Sequence, residues 1–244
     1  MTEFRIFRAL GMAFRSWFKN FIPFTILAAV LYSPVVIWIL TWNPNEASSL
    51  DEVLNKAFMW PIYLIVGLST LLAPMMTYRV IQELNGTKVS MLTSVKYGMR
   101  GIVPAIILAV VTNLLQLVPF GGIVGAVVTC MWFVAAPAAV AEKLSPFQAL
   151  SRSSELTRGR RWGIFGLTFL IGLMLIGMLM VWIVPMFEKS GEDLAASLKS
   201  SSLLFVGTMA LFQMFTGIVE AVSYALLRQD KDGVTHDELA RVFE

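Results

Sequence analysis

Six stretches of roughly 20 residues with almost no charge leave this chain one natural solvent, a lipid bilayer, because about that many helical residues cross a hydrocarbon core. They run over 21–42, 57–78, 102–119, 122–141, 163–187 and 203–227. The first five carry no charged residue and the sixth carries one, Glu220. The runs are continuous instead of alternating, which predicts helices and not barrel strands. A helix also satisfies its backbone N–H and C=O groups internally where no water can reach them. Composition agrees: 57% of the 244 residues are hydrophobic and 14% charged, against about 25% charged in soluble domains. The expected fold is an all-α polytopic membrane helical bundle with six transmembrane helices. The first run is too long for a signal-peptide core and no small-x-small site follows it closely, so it reads as an uncleaved span.

Basic residues set the expected orientation. Arg5, Arg8, Arg15 and Lys19 precede the first span, and Arg79, Lys88, Lys96 and Arg100 follow the second. Lys143, Arg152, Arg158, Arg160 and Arg161 follow the fourth, and Arg228, Lys231 and Arg241 follow the sixth. These are 16 of the 19 basic residues; Lys56, Lys189 and Lys199 fall on the other side. The positive-inside rule then places both termini and the two long basic loops in the cytoplasm. Tryptophans fit headgroup belts: Trp38, Trp42, Trp60 and Trp182 near the outer ends, Trp17 and Trp162 near the inner ones. Trp132, midway along span four, is expected inside the bundle. A net charge of +3 is too small to argue for nucleic acid.

A repeat is visible in the segments before the odd spans. They read FRALGMAFRSWFKNFIPF, SMLTSVKYGMRGIVPA and FQALSRSSELTRGRRWGIF. Either the chain holds three units, each a short cytoplasmic interfacial helix plus a two-span hairpin, or similar composition has converged where helices meet the membrane surface. In the first segment, residues 1–20, the apolar Ile6, Phe7, Leu10, Phe14, Trp17 and Phe18 oppose the basic Arg5, Arg8, Arg15 and Lys19. That pattern suits a helix lying flat in the inner leaflet. In the second, Met91, Val95 and Met99 oppose Ser94, Lys96 and Arg100. The third lacks a clean apolar face and suits packing on protein. Pro23 and Pro104 are expected in a first helical turn, while Pro34, Pro61, Pro74 and Pro137 should bend their helices. Gly121 with Gly125, and Gly217 with Ala221, are small-residue pairs that let helices approach closely. Residues 228–244 are expected to form a short cytoplasmic tail helix, with Thr235 and Glu238 as a capping box.

Candidate functional residues are few. Glu220 lies well inside span six, where a carboxylate normally faces the bundle interior. Gln213, Thr216, Gly217 and Ser223 share its helix face, and Asn113 and Gln116 of span three are further intramembrane polar candidates. These residues line an ion, proton or substrate pathway, or Glu220 makes a structural contact. The run Arg158-Gly159-Arg160-Arg161-Trp162 suits lipid phosphates, which arginine forks match well, or it is a topology determinant. Cys130 reads as a small hydrophobe. His236 is the only histidine, and no nucleophile–base pair, phosphate-cradling loop or metal spacing is present. No catalytic activity, cofactor or metal is therefore expected. The expected partners are membrane lipids, with a membrane protein or a second copy of the chain, and no nucleic acid.

Three stretches carry a family resemblance: Pro137-Ala138-Ala139-Val140-Ala141-Glu142, then 149–162 (ALSRSSELTRGRRW), then 224–234 (YALLRQDKDGV). Together they resemble the bacterial glycerophosphoryl diester phosphodiesterase membrane-domain family and related six-span proteins. In some of its members this domain is fused to a phosphodiesterase barrel. The 17 residues 228–244 are too few for one. The resemblance implies a membrane module without the catalytic domain, in a bacterial cytoplasmic (inner) membrane. It brings no established functional residues. Arg152, Ser153, Glu155, Arg158 and Gly159 match the motif and are expected to brace the cytoplasmic loop. The leading expectation is a non-enzymatic scaffold, partner-binding or envelope-associated protein with anionic-lipid contact. The alternative is a transporter or channel for a small solute, ion or lipid that uses Glu220.

Overall fold

A computed structural model describes residues 6–43, 49, 52, 55–115, 121–183 and 193–233. Among them no strand occurs, and the chain is an all-α polytopic bundle. The helices are α1 (Ile6–Lys19), α2 (Phe21–Thr41), α3 (Trp60–Leu84), α4 (Met91–Leu115), α5 (Gly121–Trp132), α6 (Ala135–Glu142), α7 (Pro146–Thr157), α8 (Arg161–Ile183) and α9 (Asp193–Asp232). A π-helical turn, Asn55–Met59, leads into α3. Six segments are long and apolar enough to cross a membrane: Phe21–Thr41, Trp60–Leu84, Met91–Val111, Gly122–Glu142, Arg161–Val181 and Ser200–Asp232.

Two boundaries differ from expectation. The second interfacial segment is not separate from span three; both lie in the single helix α4. Pro104 therefore sits inside a helix instead of in its first turn, and it leaves the carbonyl of Arg100 without its usual donor. Span six and residues 228–232 likewise form one helix, α9. The expected tail cap at Thr235 and Glu238 lies outside the described residues.

Small residues set the packing. In α1 the buried residues are Ala9, Ala13 and Ser16, not the aromatic stripe. Such a seam lets backbones approach closely, and α1 lies against α9. Phe7 and Phe18 stay exposed, on a surface suited to lipid. Phe14 and Trp17 also pack on Phe215, tilted and edge-on respectively, with ring centroids 4.5 and 6.2 Å away. The first half of α4 seats on α3 through Gly98, where a Cβ would lie 2.4 Å from the Cα of Met75. In the same way α7 seats on α5 and α6. Each leading helix thus rests on an even span: α1 on span six, α4 on span two, α7 on span four. The contacts close a ring of three hairpins, and Ala13, Ser94 and Ser153 are fully buried at matching places in it.

Burial is uneven around the ring. Only 11% of the span in α8 is buried, against 56% of the span through α5 and α6. A helix apolar on every side and barely covered by protein belongs against lipid. α9 is the central helix: Ala221, Val222, Ser223, Tyr224, Ala225 and Leu227 are all fully buried.

Candidate functional site

The side of the bundle that carries the basic loops is built around a broken helix. Pro137 cannot donate a backbone bond, and its ring crowds the carbonyl four residues earlier. The helix breaks there, at Phe133–Val134, separating α5 from α6. Ser153 of α7 fills the gap. Its hydroxyl donates to Met131 O at 3.0 Å and accepts from Val134 N–H at 3.2 Å, and Thr157 also donates to Met131 O at 3.2 Å. Ser94 does the same one repeat earlier: it donates to Met75 O at 2.6 Å and accepts from Arg79 N–H at 3.1 Å, next to Pro74. Buried backbone groups cost free energy unless paired, and each serine hydroxyl supplies both an acceptor and a donor to the backbone of a proline-containing span.

The break aims Glu142, the last residue of α6, into a set of charges from three helices. Arg152 Nε donates to both its carboxylate oxygens at 3.1 and 3.0 Å. Tyr224 Oη donates to Glu142 Oε1 at 2.9 Å and accepts from Arg228 at 3.2 Å. Arg228 lies 3.7 Å from both Glu142 and Asp232. Arg152 also pairs with Asp232 and, at 3.1 Å, with Glu155. Burial by itself would loosen the proton on Arg152; Glu142 first, then Glu155 and Asp232, outweigh it and raise its pKa above the ordinary arginine value. Beside this hub Arg160 grips Asp230 with two bonds, at 2.9 and 3.4 Å. Gly159 takes a left-handed φ of 85° in the turn between α7 and α8, a conformation glycine adopts without steric cost.

A second, smaller clip ties α1 to α3. Glu83 accepts from Ser16 at 3.0 Å and from Asn20, and pairs with Lys19 at 3.1 Å. Arg79 donates to Asn20 Oδ1 at 2.6 Å and to Val89 O at 2.8 Å.

The chain matches no known family, no curated protein and no solved structure. The site therefore has to be read from its own geometry.

The residues singled out in the sequence separate into groups. Arg152, Ser153, Glu155 and Arg160 join α7 and its turn to the rest of the bundle. Arg158 and Arg161 do not enter the hub; both line a cleft beside α7. Glu220 is partly buried on α9 and makes no hydrogen bond or ion pair with a described residue. Close to it, Gly217 lies against Ala73 and Met76, where a Cβ would come within 2.9 Å. Thr216 turns back to Gln213, donating to its backbone oxygen at 2.9 Å. Ser223 is fully buried and its hydroxyl has no partner among the described residues. Gln116 lies outside the described residues, and so does the side chain of Asn113. Cys130 is buried, and Trp132 is half-buried on the cleft wall, not packed in the interior.

Sequence reading did not assign roles to Glu142, Tyr224, Arg228, Asp230 or Asp232. A signal was present: Glu83 and Glu142 each end an even span amid basic residues. Glu142 anchors Arg152 of the segment that follows it, and Glu83 anchors Lys19 of the first segment.

Proposed function

We propose that the protein is a non-catalytic membrane scaffold, with its basic face in the cytoplasm of a bacterial inner membrane and in contact with anionic lipid. The observation that carries this reading is the hub. Glu142, Arg152, Tyr224, Arg228 and Asp232 neutralise one another instead of facing a substrate, and they join three helices into a fixed platform. Buried or half-buried ion pairs of this kind hold a unique arrangement more than they add stability. The resemblance of the three hub-bearing stretches to the phosphodiesterase-associated membrane domain fits the same reading, since that domain is a module apart from the catalytic barrel. The test is crosslinking in native membranes followed by purification in mild detergent. A discrete adduct that is reproducible in the wild type and lost in Arg152→Ala supports a platform; isolation as a bare monomer from crosslinked membranes counts against it.

One observation favours a second reading, transport. Glu220 is half-buried in a span without a partner among the described residues, and an intramembrane carboxylate is costly unless used. Transport through this residue predicts that Glu220→Gln abolishes flux of an ion or small solute across liposomes holding the pure protein. Equal flux in the variant and the wild type removes Glu220 from any pathway.

A further inference from the structure

α7, the start of α8 and the facing sides of α4 and α5 enclose a cleft of about 760 Å³. Its lining combines two chemistries. Exposed Arg158 and half-buried Arg161 line it together with Ser151 and Ser154. Ile107, Val111, Trp132 and Leu150 supply its apolar wall. Val111 ends the apolar part of α4, while Arg161 opens the span of α8. About three turns of α4 separate Met99 from Val111, about 18 Å at 1.5 Å per residue. The cleft therefore joins the basic end of the α8 span, at Arg161, to apolar α4 residues at acyl depth, Ile107 and Val111.

Among the described residues neither Arg158 nor Arg161 forms an ion pair, in contrast with Arg152 and Arg160. Nε of Arg161 is buried without a hydrogen-bond partner, a donor that a protein normally satisfies. One carboxylate also lines the rim, Glu155, but Arg152 holds it at 3.1 Å from behind. The net field at the rim is positive.

We propose that this cleft binds one phospholipid, its phosphate between Arg158 and Arg161 and one acyl chain along Ile107, Val111 and Trp132. Guanidinium forks match phosphate oxygens, and charge-assisted bonds of this kind are the strong ones. Basic pockets between membrane helices suit lipid head groups for the same reason. A free phosphate ion would satisfy the arginines but leave the apolar wall empty, so the wall selects lipid. The site deepens the scaffold reading by naming the lipid and where it sits. It rests on that reading only in placing this face at the headgroups, and it stands or falls separately from any protein partner.

The test uses the full chain reconstituted in nanodiscs of one part phosphatidylglycerol to about three parts phosphatidylcholine, a mixture in which a basic site selects the anionic lipid. Native mass spectrometry after gentle release counts retained phosphatidylglycerol. Wild type is expected to keep one phosphatidylglycerol per chain. Arg158→Gln with Arg161→Gln should lower retention on the order of tenfold or more, the loss of two charge-assisted bonds. Arg160→Gln, which breaks the pair with Asp230, should leave retention unchanged. Val111→Trp, which fills the wall, should lower lipid retention while the arginines remain. Should the double variant fail to fold, Val111→Trp and the exposed single change Arg158→Gln carry the test alone. Retention unchanged in those variants, or displacement of the lipid by excess inorganic phosphate in Val111→Trp and wild type alike, overturns the proposal. Partner crosslinking in the same variants reports on the scaffold reading independently.

Discussion

Gly98→Ala is expected to destabilise the bundle more than any other single methyl group added to it. The new Cβ would stand 2.4 Å from Met75 Cα, 2.6 Å from Pro74 O and 2.8 Å from Met75 N. All three are backbone atoms, so no side chain can swing away and α4 must move off α3. Overpacking a well-filled contact costs about 1–3 kcal/mol, sometimes more. Here the shift also pulls Ser94 from Met75 O and Arg79 N–H, leaving groups that cost about 1–3 kcal/mol when unpaired. Thermal unfolding in detergent should show a large fall in Tm or loss of a monodisperse peak. Gly177→Ala on α8 is the matched control, because nothing lies within 4 Å of its added Cβ. Its effect should stay within about 0.5 kcal/mol or favour the fold. Equal effects at Gly98 and Gly177 would mean that α4 does not seat on α3 in this way.

Gly98 illustrates what the sequence could and could not disclose. Span number follows from solvent: a chain with these apolar runs has no other low-energy medium, and hydropathy reads that directly. Contact geometry does not follow, because composition cannot say which small residue meets a backbone. Of the two pairs noted in the sequence, Gly217 does lie against α3, whereas nothing approaches the Cβ position of Gly125. Gly98 and Gly101, the tightest contacts, escaped notice because they sit in a segment that looked interfacial. In α1 the conspicuous aromatic stripe drew attention away from Ala9, Ala13 and Ser16, which make the protein contact. The candidate site was legible in its arginines and illegible in their partners. Arg158 and Arg160 are two residues apart, yet one faces a cleft and the other an aspartate 70 positions away. Charge runs read alike in a sequence; only the turn at Gly159 separates their directions.

Arg152→Ala should be the most costly charge change in the protein. Arg152 reaches Glu142, Glu155 and Asp232, from α6, its own helix α7, and α9. Its side chain is 19% exposed and that of Glu142 16%, so the pair is shielded from water but not sealed off. Removing one member of a fully buried pair costs about 3–5 kcal/mol; partial exposure lowers the expectation here to about 2–3 kcal/mol. Arg228 should cost less, because it meets both carboxylates at 3.7 Å. Arg152→Lys should recover only part of the loss, since an ammonium offers no planar fork to serve three carboxylates. A double cycle with Glu142→Gln, read by thermal unfolding, should show strong coupling, with the second change costing little once the first is made. The upward pKa shift of Arg152, caused by the carboxylates around it, means its contribution is complete below the ordinary arginine pKa and fades only at still higher pH. Additive effects of Arg152→Ala and Glu142→Gln would show that the two residues act apart and that no platform joins α6, α7 and α9.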